Sequence, residues 1–134
     1  MKHFIFLLTV ILSGITQVHA CGKYPIIPYP KSLQAMEGYF ILKNNMQISV
    51  PFENKKVNQI ADDFTKKLSE VSGLYLSISQ ENTKADIIFT KDNSLGNEAY
   101  LLNIAPERIV VKAATPNGFF YAVQSILQLL PAEI

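Results

Sequence analysis

The sequence predicts an α+β domain: a mixed, mostly antiparallel sheet of about five or six strands, with two helices packed on one face. Three observations carry this. Residues 55–72 and the stretch following Asn117-Gly118 repeat apolar residues at helical spacing. Around them lie short apolar runs of strand length, two of them in hairpin connection. Each helical stretch has a single apolar stripe, so both most simply cover the same face of one sheet.

Residues 1–20 precede that fold and read as a secretory signal peptide. Lys2 and His3 form a positive head, Phe4 to Leu12 is an apolar run, and Val18-His19-Ala20 ends in a small residue. The run is too short to span a bilayer as a helix. Residues 21–134 then form one domain. The lone cysteine, Cys21, follows the cut, and "VHAC" resembles the lipobox of bacterial lipoproteins, where the cysteine is acylated. The plain alternative is a free thiol at the mature N-terminus. The protein is therefore expected to be exported, to the periplasm, the outer membrane or beyond. It would touch a membrane only through an anchor on Cys21.

The mature segment opens with Pro25, Pro28 and Pro30, which exclude a helix or a central strand, and Ile26, Ile27 and Tyr29 suggest an extended segment laid on a surface. Tyr39–Leu42 and Met46–Val50 are short apolar runs around Asn44-Asn45, a turn or tight hairpin. Next comes the first helix, with Val57, Ile60, Ala61, Phe64, Leu68 and Val71 in one stripe, Asn54 as its cap and Gly73 as its stop. Leu74–Gln80 alternates as a half-buried strand, and Ala85–Lys91 is dense enough to be covered on both faces. Two strands joined around Pro106-Glu107 form a hairpin, with Tyr100, Leu102 and Ile104 on one face. The last helix buries Phe119, Phe120, Val123, Ile126, Leu127 and Leu130 at helical spacing, and Pro131 ends it. Of these, Phe120 is expected in the centre of the stripe, with Phe119 and Tyr121 flanking it.

Several function classes drop out. The chain has twelve bases and eleven acids, and Lys2 leaves with the signal, so the mature domain is neutral and has no basic run to bind nucleic acid. Both histidines, His3 and His19, lie in the signal, which removes Ser-His-Asp and Cys-His nucleophiles and histidine zinc sites. Gly73, Gly96 and Gly118 stand alone, without a phosphate loop. No catalytic residue, cofactor site or metal site is assigned. Asp62-Asp63 is the one adjacent acid pair, and each acid precedes a lysine by four residues (Lys66 and Lys67), the order of surface ion pairs. Glu98 and Arg108 could pair across the hairpin. Gln124 and Gln128 could bond the backbone of something packed on the last helix or face solvent. Tyr100 and Tyr121 could stack on a sugar, or be core-edge aromatics that need no ligand.

Taken together these blocks resemble the N-terminal domain of family 20 glycoside hydrolases, the β-N-acetylhexosaminidases. The shared features are Pro28 and Pro30; Gly38, Phe40 and Leu42; Glu98, Tyr100, Leu102 and Ile104; Ile109, Val111 and Ala113. The most specific block is Gly118, Phe120, Tyr121, Gln124, Ser125, Ile126, Gln128 and Leu129. The resemblance implies a catalytic (β/α)8 barrel as partner. That barrel would carry the Asp-Glu pair and the glycan pocket, and act by a substrate-assisted mechanism through the 2-acetamido group. None of the family's catalytic residues maps onto this sequence. Other readings are a free-standing lipoprotein that binds glycans or a partner, the same domain from another glycosidase family, or a small hydrolase in its own right. The missing histidines and the lack of a convergent acid pair weigh against the last.

Overall fold

The computed structural model describes residues 24–80 and 84–131; the signal segment and Cys21 lie outside them. The elements, in order, are β1 (Met46–Ser49), α1 (Lys55–Ser72), β2 (Leu76–Ser79), β3 (Ile87–Lys91), β4 (Tyr100–Ile104), β5 (Ile109–Ala113) and α2 (Pro116–Leu129). They build one five-stranded mixed sheet in the order β2-β1-β3-β5-β4. The α+β class with two helices is the expected one.

The balance of strand directions is not the expected one. β1 runs parallel to both β2 and β3, β3 runs parallel to β5, and only β4 and β5 are antiparallel. The sheet is thus mostly parallel. A short link normally joins antiparallel neighbours, and only a short stretch separates β2 from β3. Instead β3 lies on the far side of β1, where Ile87 stands level with Ile48. Tyr39–Leu42 also forms no strand; the chain from Tyr24 to Lys43 runs as an irregular strap, and Asn45 takes the left-handed turn conformation at φ 63.

α1 has the predicted bounds because its ends are chemically marked. Asn54 Oδ1 accepts from the backbone N–H groups of Lys56 and Val57 at 3.1 and 3.2 Å. Gly73 closes the helix at φ 69, a conformation that a side chain would strain, and its N–H reaches Ser69 O. Val57, Ala61, Phe64 and Leu68 are buried, whereas Val71, at the end of the predicted stripe, is exposed.

In α2 the phase is set by a glycine. Thr115 takes the N-cap position and Pro116 the first turn, so the helix starts earlier than Asn117-Gly118. A Cβ on Gly118 would stand 2.5 Å from Ala99 O and 2.8 Å from Ala113 Cβ, so the helix backbone lies directly on the sheet there. This turns Phe119, Ala122, Val123 and Ile126 inward. Phe119 is 1% exposed, stacked on Phe89 at 5.3 Å between ring centres and tilted against Phe52 at 5.7 Å. Phe120 is 47% exposed. The expected roles of the two phenylalanines are therefore exchanged. Either one fits helical spacing to Val123; the small residues Gly118 and Ala122 decide which faces the sheet.

The core lies between the helices and one face of the sheet. β1 contributes Met46 and Ile48, β3 Ile87 and Phe89, and β5 Ile109, Val111 and Ala113. Ile88, on the opposite face of β3, is also buried, as its dense apolar run predicted. Phe40 and Leu42 of the strap pack against the same core.

Candidate functional site

The side chains singled out in the sequence do not converge. On the outward side of α1, Asp62 accepts a 2.7 Å ion pair from Lys66, and this hydrogen bond and charge raise the lysine pKa. Asp63 does not meet Lys67; it accepts from Gln59 Nε2 at 2.9 Å. Glu98 and Arg108 are both exposed and do not pair. Glu98 precedes β4 and Arg108 precedes β5. In an antiparallel pair with Tyr100 opposite Ala113 and Ile104 opposite Ile109, those two starts lie at opposite ends of the hairpin. Among the described residues, no three of His, Cys, Asp or Glu gather as a metal shell.

The tyrosines divide. Tyr100 Oη shares a 2.6 Å hydrogen bond with Ser125 Oγ, so its phenol is committed to the rim of the core. Tyr121 stays outside, edge-on to Phe120 at 5.6 Å between ring centres. Two glutamines four residues apart on α2 behave differently as well. Gln128 holds the strap by both ends of its amide: Ile27 N–H donates to Oε1 at 2.6 Å, and Nε2 donates to Ile27 O at 3.1 Å. This double bond imitates one rung of a sheet ladder. Gln124, half-buried, makes no such contact.

Other polar contacts escaped the sequence reading because nothing in spacing announces them. Asp86 Oδ2 accepts from Gln47 N–H at 2.9 Å, and Asn44 Oδ1 accepts from Tyr75 N–H at 2.8 Å. Asp92 accepts from both the N–H and the hydroxyl of Ser94, which hold its carboxyl below the usual range. A shallow open recess at the start of α1 is lined by Glu53, Asn54, Lys55, Asn58 and Gln80. All of these contacts fix turns and strand ends.

Comparison with known proteins gives the family of this domain. The family description "Glycosyl hydrolase family 20, domain 2" matches residues 23–134. The chain belongs to that family. Its domain 2 accounts for the strap, the sheet and both helices together. A beta-hexosaminidase of Porphyromonas gingivalis is 29% identical over 112 residues, which is 81% of this chain and 14% of that protein. Among solved structures, the family 20 beta-N-acetylhexosaminidase of Streptomyces coelicolor A3(2) superposes with a TM-score of 0.75 at 24% identity, covering 81% of this chain and 22% of that one. The beta-N-acetylhexosaminidase of Bacteroides fragilis gives a TM-score of 0.62 at 28% identity over 77% of this chain and 20% of its own. The family 20 domain described here therefore spans between a seventh and a quarter of the length of these relatives. The family implied by the sequence blocks is the one found.

Proposed function

We propose that this chain is the accessory N-terminal domain of an exported bacterial β-N-acetylhexosaminidase, non-catalytic by itself. The observation that supports this best is the family 20 domain match over residues 23–134, in a chain that covers only 14% of its Porphyromonas relative. In this reading, residues 1–20 direct export and are removed, and Cys21 is the point of lipid attachment. Removal of terminal N-acetylhexosamine from glycans belongs to a (β/α)8 barrel elsewhere in the enzyme. Among the described residues the one adjacent acid pair is engaged on the solvent side of α1, Asp62 with Lys66 and Asp63 with Gln59. The part of this domain is to fold independently and to present a surface to that barrel.

The reading is tested by assaying the purified 134-residue chain and the full protein encoded by its reading frame on a chromogenic N-acetyl-β-glucosaminide. Turnover is expected from the full protein alone. Activity of the short chain that disappears on Asp62→Asn or Asp63→Asn would refute it. So would a reading frame that encodes no barrel.

A further inference from the structure

β4 is an edge strand with a free row of backbone hydrogen-bonding groups. The sheet ends on β2 at one side and on β4 at the other. At the hairpin tip Ala105 N–H donates to Arg108 O at 3.0 Å, and Arg108 N–H donates to Ala105 O at 3.2 Å. Opposed residues of an antiparallel pair alternate between bonded and unbonded. With Ile104 opposite Ile109 and Leu102 opposite Val111, Leu101 and Asn103 turn their N–H and C=O groups to β5. Tyr100, Leu102 and Ile104 turn theirs outward. Among the described residues these outward groups have no partner. The residues that normally blunt an edge are missing too, since Ala99 to Ala105 includes no charge and no proline. Both flanks of the edge are apolar. Leu101, 55% exposed, stands on the helix-free face. On the other face Tyr100 Oη is bonded to Ser125 Oγ, which fixes the side of α2 that overlooks β4. Tyr121, one turn earlier on that side, is exposed, with Phe120 edge-on against it. The opposite edge offers less: in β2 the Tyr75 and Ser79 carbonyls already accept from Asn45 and Val50, which leaves Leu76 and Ile78 facing out.

We infer that β4 pairs antiparallel with β4 of a second copy of this chain, about a two-fold axis at Leu102, and joins the two sheets into one. Two features select a copy over any other strand. First, the edge is complementary to itself. With Leu102 opposite Leu102 of the copy, Tyr100 meets Ile104, and each outward N–H finds an outward C=O. Both α2 helices then lie on the same side of the joined sheet, with a Tyr121 from each beside the seam. On the other side the two Leu101 side chains meet diagonally across it. Second, the charges match. Glu98 and Arg108 lie at opposite ends of the hairpin and do not pair within the chain. An antiparallel copy brings those opposite ends together. Glu107 shares the tip with Arg108, so Glu98 arrives at a balanced pair holding the cation that it lacks in its own chain. A seam one strand wide is a small interface, so the dimer forms and dissociates with concentration.

Amide hydrogen exchange resolved by NMR, on the chain at micromolar and at millimolar concentration, tests the pairing. In the dilute sample Leu101 and Asn103 should be protected, while Tyr100, Leu102 and Ile104 exchange fast. In the concentrated sample those three should slow several-fold as sedimentation shows the dimer. Leu101→Lys sets like charges across the seam at a position exposed in the single chain. It should abolish the concentration dependence and leave the protection of Phe89 and Val111 unchanged. Fast exchange of the three amides at every concentration overturns the pairing. Protection that persists at every dilution overturns it as well, because the chain then covers its own edge. A dimer that leaves the three amides unprotected, or that survives Leu101→Lys, puts the contact elsewhere and overturns it too.

Discussion

Replacing Phe119 by alanine should come near to unfolding the domain, and replacing its neighbour Phe120 should not. Phe119 is 1% exposed and its ring lies between Phe89 and Phe52 at 5.3 and 5.7 Å. Returning such a side chain to water costs about 1.5–3 kcal/mol of transfer free energy. Each lost ring pair adds roughly 0.5–1.5 kcal/mol, and a cavity remains wherever Gly118 and Ala122 cannot move closer to the sheet. The sum agrees with the roughly 3–5 kcal/mol typical of buried Phe→Ala changes, a large part of the 5–15 kcal/mol or so that holds such a domain together. Phe120, half in solvent and edge-on to Tyr121, should lose about 1 kcal/mol or less. With a urea slope of about 1–3 kcal/mol per molar for a chain of this size, Phe119→Ala should lower the unfolding midpoint by about 2 M. Phe120→Ala should move it by a few tenths. Urea titrations followed by far-UV circular dichroism decide the matter. Equal shifts for the two variants would mean that α2 is rotated about its axis relative to the arrangement described.

Gly118→Ala should cost about 1–3 kcal/mol by overpacking, because its Cβ would stand 2.5 Å from Ala99 O; an unchanged melting temperature would contradict that close approach. Tyr100→Phe and Ser125→Ala should each cost about 1 kcal/mol, and a double-mutant cycle should show the loss to be shared, since each removes the same 2.6 Å bond. Fully additive effects would show the bond to be absent. Asp92 should make stability depend on acid: its folded pKa is lowered by the Ser94 hydrogen bonds. Its contribution is therefore complete above the ordinary carboxyl value of 3.8 and disappears as pH falls below it. Asp92→Asn should flatten that part of the acid-unfolding curve, and an unaltered curve would remove Asp92 from the account.

Both helices are visible in the sequence, but only α1 has its ends and phase written in local chemistry. Asn54, Gly73 and the Val57–Leu68 stripe determine α1 without help from the rest of the chain. The hairpin of β4 and β5 was equally local. The order of strands was not, because pairing β1 with β3 depends on which side of β1 the chain passes, and no residue between them encodes that. The Phe119/Phe120 exchange has a different cause. Hydrophobicity alone leaves the two equivalent, and only the contact of Gly118 with the Ala99 backbone resolves them. Among the polar candidates, those paired at four-residue spacing were partly foreseen, as Asp62–Lys66 shows. Arg108 and Glu98 looked like partners in sequence but are separated by the length of the hairpin. The clamp at Gln128 spans too much sequence to be read from any window.

That separation has a kinetic consequence. Ile27 and Gln128 are 101 residues apart, so the chain between them must already be ordered before closing that loop can be repaid by two exposed hydrogen bonds. The strap is made early by the ribosome yet can be fixed only late, after β5 has found β3 and α2 has settled on both. In the native state the same arithmetic runs backward: the strap can lift without breaking the sheet, as a local opening far cheaper than global unfolding. Amides of Ile27 and its neighbours should then exchange with solvent well before those of Phe89 or Val111, and a protease acting on native protein should cut between Ile27 and Ile41 while the sheet is still intact.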